Sequence, residues 1–374
     1  MSYPFLLSQR SISQQRDMFL FCFEEYPIVL MGGGWNLKHH HMTIKTFYRW
    51  LDIIDDHHRD RNINFQLQKI NLKRFDVLRY IVDSSEGPLL PRDSEELLEP
   101  GVYGPFLDGQ PYRGQVGDRY CLDTLRTFER GAGCLGEDTG VDLNHHNKMP
   151  QAIIDAVTQR DSGVCCVTGR ADLPASIIWV FPPSMAYESY QVRDGSKQGL
   201  HEVYRCLENA ITLCDALVEP YMENMFSIDM EDSGRIITFV DLCMKIPSAP
   251  SLPSHLPHHS ASHMFWQLHF KLTLGVHFLG GDIEFEEHNP NPQELMDELV
   301  EEEANFQDSK WQSGVGAEVL AEFLDQRMCI GQNRTRFNDQ PDGVDMNDVD
   351  LTSSNSDSED DVSYSEVGES LYEE

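Results

Sequence analysis

Histidine and cysteine are the residues of this chain best suited to metal or nucleophilic chemistry, and their spacing limits what they can do. Of the 15 histidines, 11 gather at 39–41, 57–58, 145–146 and 255–263. Imidazole suits zinc, copper or nickel, but His255, His258, His259 and His263 lie in or beside a Pro/Ser-rich stretch with no fixed geometry. His57 and His58 follow Asp55 and Asp56; adjacent residues on a helix point in different directions, so this group reads as a solvated helix end. His269 and His277 are eight residues apart, about 80° around a helix, and read as surface or partly packed side chains. Nine cysteines contain no CxxC pair, which favours reduced, buried thiols over a zinc site. Cys165 and Cys166 point to opposite faces of an expected strand and read as packing residues. No Gly-x-Ser-x-Gly elbow occurs, and Gly32-Gly33-Gly34 lacks the Gly-Lys-Ser/Thr of a phosphate loop.

The chain has 374 residues, 40% of them hydrophobic and 24% charged. That composition suits a globular α+β protein of two or three units. No run approaches the ~18 apolar residues of a membrane span, and the apolar stretch Met18 to Phe23 has no secretory layout. An intracellular protein, nuclear or cytoplasmic and not secreted, is the expectation. The net charge is −33. Residues 341–374 hold 12 acids and no Lys or Arg, and residues 282–303 hold 10 more without a base. Such a balance argues against general nucleic-acid binding, which relies on basic patches to neutralise phosphate.

Periodicity then places the elements. Residues 1–41 read as a flexible N-terminal segment, with Gly32–Gly34 as a connector. Residues 42–148 read as an N-terminal α/β region: a helix over 43–58, with Ile44, Phe47, Tyr48, Leu51 and Ile54 on one face, then a β-rich stretch over 74–113. Within 149–245 the pattern predicts a helix at 149–160, strands at 164–168 and 176–181, a helix at 201–219 and a hairpin at 226–239. A linker over 246–261 precedes a helical region at 262–330, with helices at 262–279, 292–305 and 315–328. The acids of 294–303 form its solvated surface unless a basic partner docks there. Residues 333–374 read as a disordered acidic tail, either a solubilising segment or a substrate for an acid-directed kinase at Ser354–Asp361.

One stretch carries a resemblance. It runs Arg160-Asp161-Ser162-Gly163-Val164-Cys165-Cys166-Val167-Thr168-Gly169, then Ile177-Ile178-Trp179-Val180-Phe181-Pro182, Glu208-Asn209-Ala210-Ile211-Thr212-Leu213 and the hairpin from Phe226 to Phe239. Its order resembles the HNH-nuclease-like domain of fungal proteins, with similar flanks covering about residues 70–310. The resemblance implies an HNH-like ββα core between the β-containing N-terminal region and the helical C-terminal region. In an active site of that kind, a strand-end His deprotonates water, an Asn positions it, and a helix His holds one divalent metal against the phosphate.

The matching positions here are Trp179 for the base, Asn209 for the Asn, Leu217 for the helix His and Met222 for a later Asp. An indole only donates hydrogen bonds, and Leu217 and Met222 offer no ligand atom, so the implied site is degenerate. Asn209 alone survives, at a position where a helix cap is a common role. Independently, Ala210, Leu213, Cys214, Leu217 and Tyr221 form one helical stripe, and Trp179 sits in an apolar strand run. Both read as core. The expectation is therefore a catalytically degenerate binding or structural module, with its catalytic residues unknown, enzyme activity open, and no cofactor or metal expected. Two alternatives stand beside it. One is a metal-dependent endonuclease rebuilt from His201, Asn209 and Asp229, which alone would need a divalent ion. The other is an acidic interaction protein whose tail binds basic proteins.

Overall fold

The computed structural model describes residues 3–55, 63–113, 124–126, 143–186, 200–242, 246, 249–257 and 261–338. Residues 1–323 form one compact unit and residues 324–374 a second. Helix α1 (Gln9–Ser13) leads to β1 (Met18–Glu25) and β2 (Ile28–Trp35), and α2 (Ile44–Ile54) follows. Next come β3 (Gln66–Asp76), β4 (Arg79–Leu90), β5 (Gly101–Leu107) and the short β6 (Gln110–Pro111). The sheet order is β1-β2-β4-β3-β5-β6, and β5 also pairs with β1 in parallel, Met18 facing Gly101. The other pairings are antiparallel. Five strands thus close into a barrel, which pairs backbone groups that an open edge would expose.

Strand β1 shows how the barrel is seated. Phe19, Phe21 and Phe23 join Val29, Ile70, Tyr80 and Val102 in one core cluster. The alternate residues Met18, Leu20 and Cys22 join a second cluster, made with Phe47, Leu51 and other residues of α2. A strand buried on both faces reads as a continuous apolar run, which is why Met18–Phe23 shows no alternation in sequence. This corrects the expectation of a flexible segment over residues 1–41. The triple glycine lies inside β2, where an added Cβ at Gly33 would come 2.4 Å from the carbonyl oxygen of Phe278. Its role is close approach of another element.

The second half begins with α3 (Gln151–Asp161), β7 (Ala175–Trp179), β8 (Ala210–Cys214) and α4 (Asp215–Met222). β7 pairs antiparallel with β8, Trp179 opposite Ala210 and Ala175 opposite Cys214. Two expectations change. Residues 164–168 form turns rather than a strand, with Cys166 N–H donating to the Thr212 carbonyl at 2.9 Å. The helix expected over 201–219 contains a strand, because every residue of β8 is buried and a short apolar run fits either period. β9 (Phe226–Asp229) and β10 (Arg235–Thr238) form the expected hairpin.

Helix α5 (His263–Phe278) then crosses the molecule. Phe265, Trp266, Leu272 and Val276 enter the core around β8 and α4. Phe270, Leu274 and Phe278 enter the barrel-side core with Trp35, Phe47 and Trp50. Because α5 serves both, the expected regions 42–148 and 149–245 and the part of 262–330 up to residue 323 fall in one unit. Helix α6 (Pro292–Val300) is capped by Asn291 and stops short of residue 305; Glu302 takes a left-handed φ of 60°. Helix α7 (Gly314–Asn338) extends past the expected tail boundary at 333, and residues 339–374 lie outside the described residues. Near the β3–β4 turn, Val77 and Leu78 pack against Leu295, Leu299, Trp311, Val315 and Val319. No helix among the described residues is long and apolar enough to cross a membrane.

A buried ion pair locks α2 to the β9–β10 hairpin. The guanidinium of Arg49 donates to both carboxylate oxygens of Asp229, at 2.7 and 2.5 Å. Trp50 Nε1 adds a third bond at 3.1 Å, and the Asp229 side chain is only 1% exposed. Arg49→Ala should destabilise the protein by about 3 kcal/mol in urea unfolding, since it strands a buried carboxylate. Adding Asp229→Asn should recover part of that loss. A change within about 0.5 kcal/mol for Arg49→Ala would show that the pair is not a lock.

Candidate functional site

Strand β7, strand β8 and helix α4 make a strand–loop–strand–helix unit, and the residues matched by the resemblance fall at its junctions. Trp179 ends β7, Asn209 precedes β8, and Leu217 and Met222 lie on α4. Trp179 is 7% exposed and donates its indole N–H to the Asn147 carbonyl at 2.7 Å, packing with Val157 and Ala210. Leu217 is fully buried among Leu213, Ile211 and Phe226, and Met222 joins the same core. Neither Leu217 nor Met222 brings an oxygen or nitrogen into the unit. Tyr221 does, but its hydroxyl donates to the Val180 carbonyl at 2.7 Å.

Asn209 is not a helix cap. It is fully buried, and its side chain clamps the chain where it leaves β7. Nδ2 donates to the carbonyls of Phe181 (2.7 Å) and Tyr204 (2.8 Å), while Oδ1 accepts from Phe181 N–H (3.0 Å). All three bonds go to backbone, leaving one lone pair as the amide's remaining capacity. Asp229 is likewise committed, to Arg49 and Trp50, and shares no partner with Asn209. The side chain of His201 lies outside the described residues, as do His57 and His58. Among the described residues, no group of three His, Cys, Asp or Glu side chains could hold a metal ion.

His269 departs from its expected surface position: it is fully buried. Its ring stacks on Tyr221 with centroids 4.1 Å apart and planes 7° from parallel. Its Nδ1 lies 2.6 Å from Ser227 Oγ, a nucleophile–base geometry in outline. Both partners are at 0% exposure, so no substrate reaches them. A polar ladder continues along α5, from Thr273 Oγ1, which accepts from Asn224, to His277 Nε2, which donates to the Asn224 carbonyl at 2.8 Å. Nothing in the sequence marks this ladder except its i, i+4, i+8 spacing on a mostly apolar helix.

His277 leads to a cleft of about 740 Å³, which sequence reasoning did not identify. It lies between residues 13–16 and the end of β2 on one side and residues 239–241 on the other. Its rings are close together: His40 is 5.3 Å from Trp35 and 5.6 Å from Phe239, and Phe239 stacks on His277 at 4.7 Å and 14°. Burial, with His39, His277 and Arg235 nearby, pushes the His40 pKa down to about 3, so the imidazole is neutral at physiological pH. Arg16 also lines the cleft but is spent as a cap of α5. It donates to the carbonyls of His277 (2.7 Å) and Gly280 (2.6 Å). Burial first, then Arg10, lowers its pKa to about 10, so it remains charged.

Two measurements test this reading. Asn209→Ala should cost about 2–4 kcal/mol in urea unfolding, because it leaves three buried backbone groups without partners; a loss below about 1 kcal/mol would mean that the clamp is dispensable. The second concerns His269, whose pKa burial pushes down to about 3 against the opposing backbone of Tyr221. Unfolded, it titrates near 6.5, so between 3 and 6.5 the unfolded chain binds the extra proton. Its stabilising contribution is therefore full above 6.5 and falls as pH drops through that window. Between about pH 7 and pH 5, His269→Gln should flatten the stability–pH slope by up to about 1.4 kcal/mol per pH unit. An unchanged slope would contradict the assignment.

Scans of protein-family models, curated proteins and solved structures find no match to this chain.

Proposed function

We propose that this chain is a non-catalytic binding module whose β7–β8–α4 unit is an HNH-nuclease-like scaffold without the HNH chemistry. The observation that carries the reading is the fate of the three matched positions. Trp179 donates to a backbone carbonyl, Leu217 is core, and the Asn209 side chain is bonded to three backbone groups. A hydrolytic site needs a proton acceptor and a ligand for the metal that stabilises the leaving oxygen. Neither role has a side chain at the matched positions, whereas each position contributes to packing or backbone satisfaction. The alternative rebuilt from His201, Asn209 and Asp229 is disfavoured because Asp229 is bound by Arg49 and Trp50.

Charge supports basic partners for such a module. Glu294, Asp297, Glu301, Glu302 and Glu303 are exposed on or just after α6, in a chain of net charge −33. A field of one sign speeds encounter with oppositely charged proteins and weakens with salt. The purified protein should leave supercoiled plasmid intact with magnesium, manganese or zinc. Metal-dependent nicking that co-purifies with the protein and is lost in Asn209→Ala would overturn the non-catalytic reading.

A further inference from the structure

Helix α6 turns to solvent a mixed face that packing within the chain does not explain. Leu295 and Leu299 point into the core with Trp311, whereas Val300 is 70% exposed, more than any other large hydrophobic residue among the described ones. One turn earlier, Met296 is half-buried at the rim of that core. Residues four apart on a helix are neighbours, so Met296 and Val300 form one apolar strip. Phe306, just past the helix, is 51% exposed, and its ring lies 5.4 Å from that of Trp311 at the edge of the same core.

The charges beside the strip oppose the helix that carries them. Exposed Glu294, Asp297 and Glu301 stand three and four residues apart, a spacing at which like charges destabilise a helix. Glu301 caps the C-terminal end, where the helix dipole is already negative, Glu302 and Glu303 follow, and the last turn holds no base. Among the described residues, the ion pair on α6 is that of Lys310 with Glu298, at 2.5 Å. Leu97 offers the contrast. It too is exposed among acids, but its neighbours Glu95 and Glu99 are paired with Lys45 and Lys69, at 2.7 and 2.6 Å. There the chain neutralises its own carboxylates, and along the α6 strip it does not. The complement of such a face is a chain segment with cations around an apolar anchor. A metal ion or a small polyamine would answer the charge but leave Val300 in water, and an uncharged apolar segment would do the reverse.

We propose that this face of α6 docks a basic segment of a partner protein, with a large apolar side chain seated on Met296 and Val300 and flanking Lys or Arg side chains facing Glu294, Asp297 and Glu301. The proposal rests on the binding-module reading above and names the partner class for it. The test measures, by fluorescence anisotropy, the binding of labelled peptides of about 12 residues to the purified protein; as a helix such a peptide spans ~18 Å and covers α6. One set carries Lys and Arg with a Leu or Phe at every third or fourth position. A second set has Ser in place of Leu and Phe, and a third has Ser in place of Lys and Arg. At least one peptide of the first set should bind, and its two Ser counterparts about tenfold more weakly or not at all. Raising the salt from about 0.1 M to about 1 M, which shortens the screening length from ~10 to ~3 Å, should weaken that binding. Val300→Ser and Glu301→Lys, both at exposed positions and checked for folding by circular dichroism, should each weaken it by about fivefold or more. Leu97→Ser, at the neutralised patch, should leave it unchanged. If Val300→Ser fails to fold, Glu301→Lys decides. The proposal is overturned if no peptide of the first set binds, if either Ser counterpart binds as tightly, if salt has no effect, if a folded α6 variant binds like the unsubstituted protein, or if Leu97→Ser weakens binding as much. Plasmid nicking by a protein that still binds the peptide would sink only the non-catalytic reading, whereas an inert protein that binds none would sink only this one.

Discussion

One helix, α5, buried at most positions from Phe265 to Phe278, joins the two largest cores of the 1–323 unit. Helix α5 gives Phe265 and Trp266 to the core of the β7–β8–α4 unit and Phe270, Leu274 and Phe278 to the barrel side. Helices with apolar residues all round need partners on every side, and here those partners come from chain segments far apart in sequence. Contact at the helix end requires a backbone without side chains, which Gly33 provides, and a donor for the terminal carbonyls, which Arg16 provides. The loop just beyond is held by Asp282, which accepts from Ser8 N–H and Ser11 Oγ. Segments about 270 residues apart thereby become one construction, and the cleft lies beside it.

The polar groups that look chemical in isolation serve that construction. Asp229 anchors α2 to the hairpin, Asn209 fixes the exit from β7, and His269 fills a ring-sized space against Tyr221 while bonding Ser227. Asp229 and Asn209 are satisfied inside a region of low dielectric, where an unpaired group would be costly, and His269 is bonded at Nδ1 but not at Nε2 among the described residues. Catalytic groups require the opposite, an accessible atom with spare bonding capacity.

Legibility in the sequence followed the strength of local periodicity. Helix α2 was readable from Ile44, Phe47, Tyr48, Leu51 and Ile54, and the β9–β10 hairpin from its turn residues, because both patterns are complete within a short window. Strand β8 was misread as helix: Ala210 to Cys214 is apolar at every position, and only pairing with β7 decides its period. The barrel was missed for a related reason. Its closure depends on the parallel pairing of Met18–Leu20 with Gly101–Tyr103, a contact that leaves no local mark. Trp179 and Leu217 were legible as buried residues because each lies in an apolar run. The roles of Asn209 and His269 were not, since both depend on backbone and ring partners brought in from other elements.

Chain order gives α5 a consequence for biosynthesis. The ribosome delivers the last strand of the barrel at Leu107 but does not deliver the end of α5 until Phe278. At the usual rates of roughly 5–20 residues per second, that interval is on the order of 10–30 s, much longer than collapse of the barrel residues themselves. Throughout it, the surface around Trp35, Phe47 and Trp50 emerges without the helix that will cover it. A nascent chain in this state presents a greasy, aromatic face to the crowded space near the exit tunnel, so holdase chaperones should engage it there and let go once α5 has docked.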